Sequence, residues 1–138
     1  LQFGACQHRL AAWRPTDYMT NWRAVLLGFL VGIVAGLFAF ALPVVGHVGA
    51  GLIAGFVAGL FAGGGVLSGA WHGLLAGALD GLALAVLVGL FGATLGLAAG
   101  GPAGGLLGGA GVFVFAVVIA FVFALDSAVG GAIGGILG

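Results

Sequence analysis

The residue with the clearest chemical potential is Asp80, an acid inside a long uncharged stretch. An ionised carboxylate alone in hydrocarbon is costly, so an acid at membrane depth tends to be protonated, paired or functional. At about 100° per residue of helix, Asp80 projects within roughly 20° of both Gly69 and Gly73, on the face that a partner helix would occupy. We predict that it points into protein. Two interpretations stay open: a proton or cation site, or a neutral acid or helix cap bonded to a neighbouring helix, which we favour.

Two histidines, His72 and His47, complete a candidate intramembrane polar site with Asp80. His72 precedes Asp80 by about two turns at an angular offset of about 80°, so we expect no direct contact along one straight helix. A metal would need several converging ligands, which His47, His72 and Asp80 would supply only if two hairpins brought them to one depth. We therefore predict no metal and no cofactor, and expect each imidazole to bond to backbone or water near an interface.

The remaining reactive residues do not predict an enzyme. The serines, Ser68 and Ser127, stand in no Gly-x-Ser-x-Gly context, and no Lys-Ser/Thr follows the glycine triplets that superficially resemble phosphate loops. The single Cys6 excludes an internal disulfide framework, and we expect an ordinary free thiol there. We predict no catalytic residues.

The composition predicts an exterior of lipid. Of the 138 residues 63% are apolar and only 4% are charged, whereas soluble domains carry about 25% charged residues. Mean hydropathy is +1.38. Because the formal net charge is zero, no nucleic-acid partner is indicated, and no soluble partner can be identified. The expected partner is membrane lipid, in an integral protein of the cell membrane.

Glycine recurs at every fourth position within the apolar runs, which places the glycines of each series on one helix face. Such a face lets a second helix approach closely, as helices do when they pack in lipid. The groove can be filled by a helix of the same chain or of a second copy, so a homo-oligomer is an open possibility. The predicted helix-packing positions are Gly28, Gly32, Gly36, Gly51, Gly55, Gly59, Gly69, Gly73 and Gly77.

These patterns predict an all-α membrane protein with about four transmembrane helices in a bundle of the glycine-zipper type. A span needs roughly 20 apolar residues. The leader is predicted at 1–21 and a single helical domain at 22–138, and the spans at about 24–42, 47–62, 70–98 and 106–125. Turns are expected at 43–46, 63–65 and 100–105, where Pro and Gly cluster.

Three alternatives concern segment boundaries. The first run can be a cleaved signal peptide instead of a helix, an alternative we do not favour because the run is long for a signal sequence. The stretch 66–99 is either one long helix with Asp80 inside it, which we favour, or a short helix over 66–79 followed by a span that Asp80 caps. The tail 128–138 is too short to span and is predicted to form a Gly-rich half-helix.

The leader is polar and carries three of the six charged residues. Either Met19 is the natural start and residues 1–18 are an upstream extension, or residues 1–18 form a loosely ordered arm. The cations Arg9, Arg14 and Arg23 all precede the first span, which predicts a cytoplasmic N-terminus. Four spans would return the C-terminus to the same side.

Several short motifs resemble a known group of proteins. They are Trp-Arg-Ala at 22–24, Pro-x-x-Gly-His at 43–47, the following Gly-x-x-x-Gly series, and Gly-Ala-Trp-His-Gly-Leu-Leu-Ala-Gly at 69–77. The chain after Met19 resembles a family of small Gly/Ala-rich membrane proteins of unknown function from halophilic archaea. The resemblance implies an integral membrane protein and supplies no catalytic residues.

Two functions are therefore expected from different classes. The favoured one is a non-enzymatic structural or accessory membrane component with close glycine-mediated packing and self-association. The alternative is a small channel, carrier or holin-like pore in which Asp80 and His72 support ion or proton passage.

Overall fold

The computed structural model describes residues 19–39, 41 and 43–138. It contains three helices, α1 (Trp22–Ala39), α2 (Pro43–Ala62) and α3 (Gly65–Leu137). By length and composition, each is long and apolar enough to cross a membrane. The predicted all-α class is confirmed for this part of the chain. Cys6 and residues 1–18 of the predicted leader lie outside the described residues.

The turn between α1 and α2 comes earlier in the chain than expected. The predicted turn at 43–46 is wrong, because Pro43 begins α2. Proline suits the first turn of a helix, where its missing N–H would have no partner and its fixed φ is already helical. The chain turns instead after Ala39, where the N–H of Ala41 donates to the carbonyl of Phe38 over 3.2 Å.

The link between α2 and α3 is made of glycine, as the sequence predicts. Gly63, Gly64 and Gly65 all have positive φ, at 63°, 78° and 86°. Residues with a Cβ rarely adopt these angles, so three successive glycines allow a reversal within very few residues.

The third helix folds back on itself. Gly100 and Gly101 have non-helical backbone angles inside α3, and Gly101 lies at φ 61° and ψ −154°. This break divides α3 into a first arm, residues 65–99, and a second arm, residues 102–137. The predicted loop at 100–105 is wrong in extent, because Pro102 and the glycines after it are already helical.

The structure thus has three helices instead of the predicted four, and the third supplies two antiparallel arms. The first arm is one uninterrupted helix, with Asp80 in its interior and not at a helix start. The second arm continues to Leu137, so the predicted separate half-helix at 128–138 is the end of this arm.

Helices α1 and α2 pack against one end of the hairpin that the two arms form. The nearest neighbours of Gly28 lie on both α2 and the first arm, whereas those of Gly59 lie on the second arm. Further along the first arm, the nearest neighbours of Gly89, Gly92 and Gly96 all lie on the second arm. We call the part of the hairpin from 92 to 111 the tip.

Small side chains fill the interior, and large apolar ones cover the outside. Among the described residues, Val25 and Ser127 are the largest fully buried side chains, and the buried apolar residues are otherwise alanines. In contrast, Leu67 is 86% exposed and Phe38 is 77% exposed. A water-soluble protein buries such side chains, whereas lipid accepts them on the surface.

Candidate functional site

Asp80 lies where the first arm passes α1, and a glycine makes room for it. The carboxyl group occupies the space beside Gly32: a Cβ at Gly32 would collide with Oδ2 and would lie 2.7 Å from Cγ. The same Cβ would lie 3.1 Å from the Cβ of Ala54 on α2. The carboxyl group of Asp80 therefore points into protein, between α1 and the first arm.

One oxygen of this carboxyl group has no partner. Oδ1 of Asp80 is inaccessible to solvent and makes no hydrogen bond within the described chain. A buried polar atom without a partner is costly and unusual in native proteins. Oδ1 therefore does not make the hydrogen bond to a neighbouring helix that we predicted for this acid. The carboxyl group does point toward a partner helix, as predicted.

His72 serves a different contact from Asp80. Its Nε2 accepts a hydrogen bond from the backbone N–H of Asn21 over 2.7 Å, and its Nδ1 lies 2.7 Å from the carbonyl oxygen of Ser68. Because that carbonyl accepts only, Nδ1 carries the proton and Nε2 is the acceptor, which describes a neutral imidazole. The buried ring therefore fixes the start of α1 to the first arm.

Other polar contacts join the same end of the bundle. The indole Nε1 of Trp71 donates to the hydroxyl of Thr20 over 3.2 Å. The side-chain amide of Asn21 lies 3.5 Å from the carbonyl oxygen of Phe61, at the end of α2. Asn21 thus contacts both other helices, a role that the sequence analysis did not assign to it because the residue precedes the first apolar run.

His47 lies apart from this cluster. It packs near Phe123 of the second arm, with ring centroids 6.4 Å apart and planes tilted by 40°. Within the part of the chain that the structure describes, no three His, Cys, Asp or Glu side chains come close enough together to hold a metal ion. His47, His72 and Asp80 therefore do not form a common site.

Most of the predicted packing glycines lie directly against another helix. Gly28 and Gly32 pack on Ala54 of α2 and on the first arm, and Gly55 and Gly59 face the backbone of Ser127 and Gly131. On the first arm, the same kind of close contact to the second arm is made by Gly69, Gly73 and Gly77. A side chain at any of these positions would force the helices apart.

Two predicted glycines differ from the others. Gly51 stands at ordinary van der Waals distance, 3.5 Å or more, from the second arm. A Cβ at Gly36 would meet nothing within 4 Å in the described part of the chain. Gly36 is predicted as a packing glycine whose groove is filled by the same chain or by a second copy, and it packs on none of the described residues.

Ser127 is the packing residue that the sequence analysis missed. It is fully buried, and its hydroxyl donates to the carbonyl of Gly73 over 2.7 Å. It belongs to a face of small residues at spacings of three and four, formed by Ala120, Ala124, Ser127, Gly131 and Gly135. The adjacent Asp126 lies inside the helix and is partly buried, with its Cβ near Gly51.

Comparisons with known proteins give a family but no activity. No curated protein and no solved structure shows a significant match to this chain. The sequence model of a family of unknown function matches residues 22–137, a range that contains all three helices. The predicted resemblance to such a family is therefore confirmed. The chain belongs to DUF5518, a family of unknown function.

Proposed function

We propose that this chain is a non-enzymatic integral membrane protein with a structural or accessory role, held together by contacts between small residues and associating with copies of itself. The observation that carries the proposal is the distribution of side-chain size. Apart from Val25 and His72, the buried residues of the described helices are alanine, glycine and serine, while large apolar side chains are exposed on every helix. Exposed apolar side chains do not destabilise a protein in lipid, where close backbone contact replaces the hydrophobic effect as the force that joins helices.

The height of the bundle matches a membrane. Helix α1 has 18 residues and α2 has 20, which gives lengths of about 27 and 30 Å at 1.5 Å per residue. The hydrocarbon core is about 30 Å thick. Trp22 and Trp71 stand at one end of the bundle, partly exposed, where tryptophan favours the membrane interface.

The tip of the hairpin extends beyond this height. If Trp71 marks one interface, the core ends about 20 residues later, near Phe91. The tip, residues 92–111, contains nine glycines and only four leucines as large apolar residues, whereas the run 112–125 is almost all valine, phenylalanine, isoleucine and leucine. We place the bulky run in hydrocarbon and the tip in the headgroup layer.

The orientation follows from the cations. Arg23 is the one arginine or lysine among the described residues, and it lies at the end of the bundle that holds Trp22 and Trp71. Gly138 is at the same end, close to Leu60. Because cytoplasmic flanks are enriched in arginine and lysine, we place this end in the cytoplasm and the tip on the opposite side.

Self-association is supported by glycines on the outside of the bundle. A Cβ at Gly36 or at Gly111 would meet none of the described residues within 4 Å, although both glycines lie in helices. Because these two glycines have no side chain, the backbone of a second copy can approach α1 and the second arm closely.

Paired substitutions test packing and association separately. We expect Gly55→Leu to prevent folding of the bundle, because a Cβ there already collides with the backbone of Ser127. Gly36→Leu is expected to leave the monomer folded and to reduce dimers and higher species several-fold. Crosslinking and single-molecule bleaching in lipid vesicles, at several protein-to-lipid ratios, measure the second effect.

Two outcomes would count against this proposal. A wild-type protein that stays monomeric at every protein-to-lipid ratio would remove self-association. A folded protein that stays dispersed in buffer without detergent or lipid would remove the membrane placement itself.

A second candidate function is a small proton or ion carrier, channel or holin-like pore, and the unpartnered Oδ1 of Asp80 is the observation in its favour. In this function Asp80 takes part in passage, and His72 keeps α1 in place. Proton flux into vesicles, followed with an internal pH dye, should be lost in Asp80→Asn. Equal flux in wild type and variant would remove this candidate.

A further inference from the structure

Asp80 lies near the middle of the proposed membrane span. It follows Trp71 by nine residues, and its neighbour Gly32 follows Trp22 by ten residues. These separations correspond to about 14 and 15 Å along their helices. Asp80 therefore lies about halfway across a hydrocarbon core of about 30 Å that begins near the two tryptophans.

Among the described residues, none offers a counter-charge to this carboxyl group. On α1 the described cation is Arg23, nine residues before Gly32, and on α2 the only titratable residue is His47, which packs near Phe123. The second arm carries only Asp126. On the first arm itself, both ring nitrogens of His72 are engaged by Asn21 and Ser68.

The ligand that fits this site is a proton. A sodium or divalent ion takes several oxygen ligands, and the residues described around Gly32 and Asp80 bring only one carboxyl group. A proton needs a single oxygen, and it removes the charge that apolar surroundings disfavour most strongly.

We propose that Asp80 is a proton-binding site at the middle of the membrane span. Its side chain is held as a carboxylic acid beside Gly32 and reacts with a lipid-soluble carbodiimide. This inference rests on the proposed membrane placement and not on self-association. It names the species for the second candidate function, and it also holds if no flux occurs.

The modification is balanced without any further reactant. The carboxylic acid transfers its proton to one nitrogen of the carbodiimide, and its oxygen forms a bond to the central carbon while one C=N double bond becomes single. The acyl group of this O-acylisourea then migrates from oxygen to nitrogen and leaves a stable N-acylurea. No group departs, so the protein gains the mass of one whole reagent molecule.

The experiment treats the full chain in lipid vesicles, at neutral pH, with dicyclohexylcarbodiimide or with a charged, water-soluble carbodiimide. Mass spectrometry after peptic digestion locates the adduct. We expect the lipid-soluble reagent to label Asp80 at least tenfold more than the water-soluble one, and more than Asp126 in the same molecules. Asp80→Asn should lose the adduct while it retains the helicity of the wild type.

A matched pair of glycine variants tests the geometry. Gly32→Ala places a methyl group against the carboxyl group, whereas Gly36→Ala, one turn further on α1, enters open space. We expect Gly32→Ala to change the labelling rate of Asp80 several-fold and Gly36→Ala to leave it unchanged.

Failure of this inference is distinguishable from failure of the proposed function. If Asp80 stays unlabelled in protein that is inserted in vesicles, or if both reagents label it equally, the proposed proton site is wrong and the membrane placement stands. Protein that does not insert overturns the membrane placement. Equal labelling of Asp80 in the Gly32 and Gly36 variants overturns the role of Gly32.

Discussion

At the scale of single residues, the buried polar side-chain atoms in the described part of the chain have hydrogen-bond partners, with one exception. His72 and Ser127 each bond to the backbone of a neighbouring segment, across 51 and 54 residues of sequence. Asp80 retains an unpartnered oxygen. Where lipid surrounds a bundle, satisfied polar contacts join helices, and an unsatisfied group is the better candidate for function.

The contact of His72 predicts a loss of stability when the ring is replaced. His72→Leu leaves the N–H of Asn21 without its acceptor, so we expect the free energy of unfolding to fall by about 1–3 kcal/mol. Titration with dodecyl sulfate in mixed micelles, followed by circular dichroism, measures this change.

Ser68→Ala is the matched control for His72. It keeps the carbonyl that His72 contacts and removes only a hydroxyl at 3.5 Å. We expect its unfolding free energy to stay close to that of the wild type. Equal losses in the two variants would show that the imidazole adds nothing specific to stability.

At the scale of elements, the reversal inside α3 depends on backbone conformation and not on space. A Cβ at Gly101 would meet none of the residues that the structure describes within 4 Å, yet its φ of 61° with ψ of −154° belongs to a region that glycine almost alone adopts. Pro102 then starts the second arm with a helical φ. This pair of residues ends the first arm and begins the second with no intervening loop, which is why the broader loop predicted at 100–105 is absent.

Replacing this glycine should destabilise the hairpin. We expect Gly101→Ala to cost about 1–3 kcal/mol in unfolding free energy, since alanine strains the same angles. Gly111→Ala also enters open space but stands in regular helix, so it should be neutral or stabilising by up to about 1 kcal/mol. Thermal unfolding of both variants in the same detergent gives the comparison, and a Gly101→Ala protein as stable as the wild type would contradict the strain argument.

At the scale of the whole molecule, the hairpin is longer than the bundle that surrounds it. Residues 65–99 rise about 52 Å, which exceeds a hydrocarbon core of about 30 Å and is closer to the 40–45 Å of a bilayer with its headgroups. To bury the whole hairpin in the hydrocarbon core, its arms would have to tilt from the bilayer normal by more than the range of about 0–40° that is usual for transmembrane helices. The glycine-rich tip is therefore best accommodated outside the core.

Single cysteines in a Cys6→Ser background test this placement. We expect Ala99→Cys, in the tip, to react with a membrane-impermeant maleimide, because a thiol needs water to ionise and react. Leu87→Cys, which lies within the proposed core, should stay unlabelled until the vesicles are dissolved. Met19→Cys should react only from the side opposite to Ala99→Cys.

Two results would contradict the proposed register. Leu87→Cys that reacts as fast as Ala99→Cys in intact vesicles would move the core boundary. Labelling of the Met19 and Ala99 cysteines from the same side would mean that the arms do not cross the membrane.

The sequence alone determined the helical class, the glycine break at 63–65 and the direction of Asp80 toward a partner helix, because backbone propensity and the 3.6-residue period are local properties. It did not distinguish Gly32 from Gly36, which have the same spacing, and it missed Ser127. On these helices every face is apolar, so no polar stripe marks the outside. Only the tertiary packing decided which glycine meets another backbone, which carbonyl His72 and Ser127 reach, and which oxygen of Asp80 is left without a partner, since each of these depends on residues that are distant in the chain.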